Sequence, residues 1–197
     1  MKPVVLASQS QSRAALLAAA GVSFSKVSSG VDETAVKDLM LAEGASPLQI
    51  AVALGEAKAL AVSAQTPGLV IGADQTLELD NKLYDKADSL EEARERLALF
   101  RGRTHQLHGG VTLAEDGLVV WRYSESSSLT ARDFSDAFLD DYLERFGQAV
   151  LSSVGCYHLE GAGAQLFERI EGDYFAILGL PLLPLLAQLR QRGAIPA

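Results

Sequence analysis

Residues capable of chemistry stand at the ends of predicted elements in this chain. Asp74 follows the apolar run 69–73, and a run of this kind without polar alternation is typical of a buried strand. An acid at the C-terminal end of a buried strand lies where α/β sheets build their sites. We therefore expect the reaction centre of the protein to lie at Asp74.

Two further acids, Asp32 and Glu33, follow the second predicted strand and are candidates to hold Mg²⁺ or Mn²⁺ jointly with Asp74. Hard cations take oxygen ligands and are usually shared with substrate phosphates. An aspartate with a pKa of about 3.9 is a poor base for water at about 15.7, a gap of roughly 16 kcal/mol, so we expect a metal that acidifies the water. Taken alone, the acidic pair also fits a solvated loop.

The candidate phosphate contacts are basic or lie at a helix N-terminus. The turn at residues 8–13 follows a strand and opens a helix, so its N–H groups, the Ser8 hydroxyl and the Arg13 guanidinium are suited to an anion. Lys58 and Lys86 are the candidate phosphate clamps. Taken alone, the turn also fits a capped helix with a surface arginine, and each lysine also fits an ordinary surface position. The prediction therefore depends on these residues occurring together. No P-loop sequence is present.

The remaining reactive residue types show no catalytic spacing. His105, His108 and His158 lack partners at the spacing of a zinc site, which favours structural or surface roles. The single cysteine, Cys156, cannot form an internal disulfide and stands in an apolar neighbourhood, so we expect it to be buried rather than nucleophilic. No G-x-S-x-G nucleophile motif occurs.

Hydrophobic periodicity and turn residues predict an α/β or α+β domain with a mixed sheet. The predicted helices cover residues 12–20, 47–64, 89–100, 135–146, 164–170 and 181–192, and the predicted strands cover residues 4–7, 22–29, 69–74, 76–79, 82–84, 105–113 and 118–128. Asp80-Asn81 predicts a hairpin that brings Lys86 back towards Asp74.

The composition is that of one ordinary globular domain over residues 1–197, with 48% hydrophobic and 21% charged residues. A net charge of −8 argues against a nucleic-acid or anionic-membrane partner, because such partners require clustered Lys and Arg. The apolar run 4–7 is too short for a signal sequence, and the apolar stretch 177–189 is interrupted by glycine and proline. We therefore expect a cytoplasmic protein that has no membrane span.

Read together, these segments resemble the Maf family of nucleoside triphosphate pyrophosphatases over nearly the whole chain. Several spaced motifs occur in the order that the family shows. They are Leu6-Ala7-Ser8 with Arg13 and Leu16-Leu17, Val31-Asp32-Glu33-Thr34, Glu56-Ala57-Lys58-Ala59, Ile71-Gly72-Ala73-Asp74, Lys86, Gly102 with His105, and Gly172-Asp173-Tyr174-Phe175 followed by Gly179-Leu180-Pro181-Leu182.

The resemblance implies an elongated, ITPase-like α/β fold, a mixed sheet with flanking helices and a cleft between two lobes. It also implies a divalent cation, a homodimer in many members, and cleavage of a nucleoside triphosphate between the α and β phosphates to give a monophosphate and pyrophosphate. By motif position, Asp74 would be the general base and a metal ligand together with Glu33. Arg13, Lys58 and Lys86 would contact the triphosphate, and Ser8 would support the turn that meets the phosphates.

Several positions indicate a branch within the family. Gln75 and Glu160 resemble the branch associated with 7-methyl-GTP, where the branch that prefers dTTP and UTP has Thr and Gln. A carboxylate at the base pocket suits a guanine N–H edge and the positive charge of a methylated ring. The chain departs from the family at Ser12, which replaces a tryptophan, at Ser153, which replaces the lysine of the dTTP and UTP branch, and at Ala87, which replaces a proline.

The sequence thus predicts a metal-dependent pyrophosphatase that removes noncanonical or modified nucleotides. One alternative is a nucleotide-binding regulator of cell division that does not turn its ligand over, although clustered acids would repel such a ligand. Another alternative is a phosphohydrolase that releases orthophosphate. The position of Asp74 relative to Glu33, Lys58 and Lys86 is the structural feature on which the prediction depends.

Overall fold

The fold is a seven-stranded mixed sheet with flanking helices, and the computed structural model describes residues 1–197. The strands are β1 (Val4–Leu6), β2 (Ser25–Lys26), β3 (Leu69–Leu79), β4 (Lys82–Tyr84), β5 (Thr104–Glu115), β6 (Leu118–Ala131) and β7 (Phe167–Glu171). The helices are α1 (Gln11–Ala19), α2 (Glu33–Ala42), α3 (Pro47–Ser63), α4 (Leu90–Phe100), α5 (Asp136–Val150), α6 (Tyr174–Ile177) and α7 (Leu182–Gln191), with a 3₁₀ helix at Ala162–Leu166.

The strand order confirms the predicted mixed α/β sheet. It runs β2-β1-β3-β5-β6-β7, and β4 pairs with β3 off this path. Strand β1 is parallel to both of its neighbours, whereas β3 with β4 and β6 with β7 are antiparallel. The predicted hairpin at Asp80-Asn81 is confirmed, because both residues have positive φ and Glu78 pairs with Leu83.

The residues group into two compact units. The first unit comprises residues 1–75, 108–125 and 173–197, and the second comprises residues 76–107 and 126–172. Strands β3, β5 and β6 contribute residues to both units. The expectation of one domain over residues 1–197 stays a prediction.

In the first unit, alternation along β1 supplies apolar side chains to both faces of the sheet. Val4 and Leu6 belong to a core cluster that includes residues of α1 and α7, whereas Val5 and Ala7 pack with Val62 of α3. The helices therefore cover both faces, as expected where parallel strands are buried. The apolar run 69–73 of β3 is fully buried, as its lack of polar alternation predicts.

A glycine lets helix α3 lie directly on strand β3. A Cβ atom at Gly72 would stand 2.2 Å from the carbonyl oxygen of Gly55 and 2.5 Å from the backbone nitrogen of Ala59. Only glycine allows so close an approach of the two backbones. Since Gly72 lies two residues before Asp74 and Ala59 follows Lys58, this contact sets the position of the lysine relative to the aspartate.

The structure corrects the prediction between residues 22 and 42. The predicted strand 22–29 is reduced to β2, since β1 offers only three residues for pairing. The acidic pair does not close a strand: Asp32 is the N-cap of α2, its side chain accepting from the Ala35 N–H at 3.0 Å, and Glu33 is the first helical residue. Helix α2 was not predicted, although Asp32 is an N-cap signal and Val36, Leu39 and Met40 have helical spacing.

In the second unit, two predicted helix boundaries are wrong. Residues 167–171 form strand β7 rather than a helix, because their backbone pairs with β6. Helix α5 continues through Gly147 to Val150, and a Cβ at Gly147 would stand 2.6 Å from Leu90 Cδ2, so this glycine faces α4 instead of ending its helix.

No helix of the molecule is long and apolar enough to cross a bilayer.

Candidate active site

Asp74 and Lys58 form an ion pair on the first unit. Strand β3 carries Asp74 directly after its buried apolar run, and α3 presents Lys58 from the face that packs on the sheet. The Lys58 Nζ atom lies 2.6 Å from Asp74 Oδ1, and the two side chains are 6% and 12% exposed. The predicted juxtaposition of these two residues is thus observed, with the ammonium group almost removed from solvent.

Glu33 shares the same ammonium group. Its Oε1 atom lies 2.9 Å from Lys58 Nζ, and its side chain is half exposed at the first turn of α2. One buried cation therefore holds two carboxylates near each other, one from a strand and one from a helix. Of the three acids predicted to act jointly, Glu33 and Asp74 thus share one lysine, whereas Asp32 caps α2.

Arg13 lies buried on α1 and extends the charged cluster. Its Nη1 atom donates to Ser8 Oγ at 3.1 Å, and its Nε atom donates to the carbonyl oxygen of Gly179 at 2.8 Å. Burial lowers the pKa of Arg13, and the negative charges of Asp74 and Glu33 oppose that shift. The guanidinium group is therefore within electrostatic reach of both acids, although neither pairs with it directly.

Ser8 and Ser10 organise the turn that begins α1. Ser8 Oγ accepts from the Ser10 N–H at 3.2 Å, and Ser10 Oγ accepts from the Arg13 N–H at 3.3 Å as the N-cap of the helix. The same Ser8 oxygen receives the Arg13 side chain. The expected supporting role of Ser8 in this turn agrees with these contacts, and Ser12 lies half-buried in the first turn of the helix.

Gln75 ties the strand next to Asp74 to helix α6. Its Nε2 atom donates to the carbonyl oxygens of Ala176 at 2.9 Å and Ile177 at 3.2 Å. Helix α6 leads directly to Gly179, whose carbonyl holds Arg13. Helix α6 was not predicted from the sequence, although its N-cap, Asp173, is a residue type that indicates the start of a helix.

The remaining predicted site residues, Lys86 and Glu160, belong to the second unit. Lys86 is exposed in the loop between β4 and α4. Glu160 is exposed on a turn, where its Oε1 atom lies 3.7 Å from His158 Nδ1. The structure describes these positions within their own unit, and their substrate roles stay predictions.

An apolar groove of about 620 Å³ lies apart from these charged residues. It is lined by Met40 of α2 and by Leu48, Val52 and Leu60 of α3 among others. None of the predicted site residues lines it. Since a triphosphate requires cations and hydrogen-bond donors, we place the candidate active site at the Asp74 cluster instead.

The charged cluster combines the features that phosphoryl chemistry requires. Two carboxylates are positioned to hold a cation or a water molecule, and two buried cations are positioned to neutralise developing charge. No group of three or more His, Cys, Asp or Glu side chains is arranged to bind a metal by itself. Any metal held here by Glu33 and Asp74 would thus need further ligands from water or from a bound phosphate.

Comparison with known proteins identifies the family of this chain. Residues 3–192 match the model of the Maf family, described as Maf-like protein. The chain is 58% identical to a protein of Caulobacter vibrioides named nucleoside triphosphate pyrophosphatase, over 99% of this chain and 98% of the relative. It is also 50% identical to a protein of Brucella suis named 7-methyl-GTP pyrophosphatase, over 98% of this chain and 97% of the relative.

A protein of Maricaulis maris, named nucleoside triphosphate pyrophosphatase, is 52% identical over 99% of both chains. The match to the family model covers almost every residue described above, including the whole Asp74 cluster. The resemblance stated from the motifs is therefore confirmed. This chain belongs to the Maf family.

Proposed function

We propose that this protein is a nucleoside triphosphate pyrophosphatase that cleaves between the α and β phosphates, releasing a nucleoside monophosphate and pyrophosphate. The observation that carries the proposal is the buried Lys58 ammonium bridging Asp74 and Glu33, beside the buried Arg13. The names of the full-length relatives support the same activity. The proposed physiological role is removal of noncanonical or modified nucleotides.

Asp74 is the proposed general base. Its carboxylate is mostly buried but not sealed, so it can receive a proton from a water molecule that attacks the phosphorus atom. Lys58 holds that carboxylate in one orientation through their ion pair. An ammonium group has three N–H donors. When a triphosphate binds, Lys58 is therefore positioned to donate a hydrogen bond to a phosphate oxygen.

Arg13 is the second proposed phosphate contact. Gly179 and Ser8 fix its guanidinium group through Nε and Nη1, so little side-chain entropy remains to be lost when a phosphate binds. Its burial strengthens the electrostatic attraction, since water screens a buried charge weakly. Lys86 is proposed as a third phosphate contact.

The donor set of the cluster suits Mg²⁺ or Mn²⁺. Glu33 and Asp74 offer carboxylate oxygens, which hard cations prefer, and two such ligands suffice when substrate phosphates provide others. A bound divalent ion would supply a more acidic water and neutralise phosphate charge. Glu33 is suited to release Lys58 for this purpose, because its side chain is half exposed.

The first experiment is product analysis. Wild-type protein is incubated with GTP, 7-methyl-GTP, UTP, dTTP and CTP in the presence of Mg²⁺ or Mn²⁺, and products are separated by chromatography. The proposal predicts a monophosphate and pyrophosphate in equal amounts. A diphosphate with orthophosphate would indicate the alternative phosphohydrolase, and tight binding with no product would indicate a nucleotide-binding regulator.

We further propose 7-methyl-GTP as the preferred substrate, with Glu160 facing the methylated base. The Brucella suis relative of that name and the carboxylate at Glu160 support this choice. Glu160→Gln should lower kcat/KM for 7-methyl-GTP by about tenfold relative to GTP, the scale of one charge-assisted hydrogen bond. Glu168→Gln, another exposed acid of the second unit, serves as the control. Unchanged selectivity in Glu160→Gln would refute the assignment of this residue.

A further inference from the structure

Arg96 is a buried arginine of the second unit that the proposed chemistry does not use. It lies on α4 with a side chain only 6% exposed, which is unusual for arginine unless it is paired. Its Nη2 atom pairs with Glu92 one turn earlier on the same helix, and its guanidinium carbon lies 5.6 Å from the centre of the Tyr84 ring. These contacts fix the direction of the side chain.

The guanidinium group joins two separate loops. Nη1 donates to the carbonyl oxygen of Asp85, in the loop between β4 and α4, and to the carbonyl oxygen of Val154 at 3.0 Å. One buried cation thereby donates to a backbone carbonyl group in each of the two loops. The arginine thus links the residue directly before Lys86 to the segment around Val154.

The segment directly after Lys86 is held to helix α4. The Glu92 carboxylate accepts from the Asp88 N–H at 2.9 Å and also pairs with Arg96. Ala87, between Lys86 and Asp88, is buried. Lys86 is therefore an exposed residue in a segment anchored on both sides, by Arg96 at Asp85 and by Glu92 at Asp88.

We propose that Arg96 is a positioning residue that fixes the Lys86 loop so that the lysine is presented to the triphosphate. This inference rests on the proposed function, since it requires Lys86 to contact substrate. A lysine side chain is long and flexible, so its contribution to binding depends on how much of its backbone is already ordered. Anchoring residues 85 and 88 removes that part of the entropic cost before the nucleotide arrives.

A double-mutant cycle tests the inference. The variants Arg96→Gln, Lys86→Ala and the double variant are assayed with GTP and Mg²⁺, and kcat and KM are determined separately. Each single variant should raise KM by about five- to twentyfold and change kcat less than about twofold. This result is expected when the lost phosphate contact is equally strong in the ground state and in the transition state. The double variant should show no further increase in KM, because both changes remove the same interaction.

Arg94→Gln is the matched control. Arg94 lies on the same helix and pairs with Asp140, but its side chain is exposed. This variant should leave both kinetic constants near those of the wild type. Arg96→Lys keeps the charge and a donor for one carbonyl, so it should recover at least half of the lost affinity. If Arg96→Gln does not fold by thermal melting, the cycle is carried out with Arg96→Lys, whose smaller increase in KM should likewise disappear when Lys86 is already alanine.

The outcomes separate the inference from the proposed function. Additive effects of Arg96 and Lys86 substitutions, or a fall in kcat alone, would overturn the positioning role while leaving the pyrophosphatase proposal intact. An unchanged KM in Lys86→Ala would overturn both the inference and the proposed contact of Lys86. A wild-type protein that releases no pyrophosphate would overturn the proposed function, and the inference with it.

Discussion

At the scale of residues, the defining feature is one buried ammonium group between two acids. Lys58 lies 2.6 Å from Asp74 and 2.9 Å from Glu33, while Arg13 is held apart by Gly179 and Ser8. Removing one partner of a buried ion pair leaves an uncompensated charge, which is costly. The cluster therefore depends on Lys58 to pair with both acids, and Lys58 and Arg13 are the two cations proposed to bind a phosphate.

Lys58→Met, which preserves the length and most of the volume of the side chain, should lower kcat/KM for a triphosphate at least tenfold. The reason is the loss of a charge-assisted contact to phosphate together with the disorder of Asp74. Lys26→Met, a change on the exposed edge strand β2, serves as the control. Steady-state kinetics measure kcat/KM for both variants. Equal values for Lys58→Met and Lys26→Met would contradict the proposed contact of Lys58 with phosphate.

His105 should make the stability of the protein depend on pH. Its side chain is fully buried, its Nε2 atom lies 2.7 Å from Tyr157 Oη, and burial lowers the pKa of His105 to about 4 from 6.5. The unfolded chain thus binds a proton more readily, so the free energy of unfolding falls as pH decreases from about 6.5 to about 4, by roughly 3 kcal/mol in total.

Denaturant unfolding of wild type and His105→Gln at pH 7 and pH 4.5 measures this contribution. The variant should be less stable at pH 7, because the stacking on Phe100 is lost, but its stability should depend less on pH. Equal losses of stability on acidification in the two proteins would show that other groups dominate the pH dependence.

At the scale of elements, the close contact of α3 with β3 determines the site. Helix α3 supplies Lys58 and strand β3 supplies Asp74, and Gly72 allows the two backbones to meet. Hydrophobic periodicity predicted both elements, because each has a long buried face. Lys58 and Asp74 were predicted to belong to one site, but their ion pair was not predicted, since contacts between distant segments are not encoded in local patterns.

Gly72→Ala should displace α3 from the sheet, because the added Cβ would overlap the Gly55 carbonyl and the Ala59 nitrogen. Overpacking of this kind costs about 1–3 kcal/mol or more, and the shift should also lower kcat by separating Lys58 from Asp74. Gly109→Ala is the control, since its Cβ would have its nearest neighbour at 3.9 Å. Thermal melting and kinetics should change together in the first variant only.

The elements that sequence patterns missed are exposed, short or determined by pairing with another strand. Helix α2 buries none of its residues, so its pattern lacks a strong apolar face, and α6 has only four residues, too few for periodicity to register. Strand β7 was mistaken for a helix because its pairing with β6 decides its conformation. Glu33 lies on α2, and the Gly179 carbonyl that accepts from Arg13 follows α6. These two parts of the site therefore depend on short or exposed elements.

At the scale of the whole molecule, the fold of a 197-residue acidic chain places a charge-balanced cluster on one compact unit. Lys58 and Arg13 supply two positive charges beside the two carboxylates, and we propose that a metal bound here would serve the reaction rather than the fold. Treatment with EDTA should therefore abolish turnover while leaving Tm within about 2 °C, in contrast to a structural metal, whose removal unfolds a domain. Added Mg²⁺ should restore activity. A large fall in Tm with EDTA would assign the metal a structural role instead.

The central claim is that Asp74 activates the water that cleaves a triphosphate between its α and β phosphates. The most direct measurement is pyrophosphate release from GTP by Asp74→Asn compared with wild type and with Asp116→Asn, a control at a hairpin turn where positive φ suits asparagine. The account predicts a loss of kcat of at least about 100-fold in an Asp74→Asn protein that remains folded, and wild-type rates in the control. Pyrophosphate release at the wild-type rate by a folded Asp74→Asn protein would contradict it.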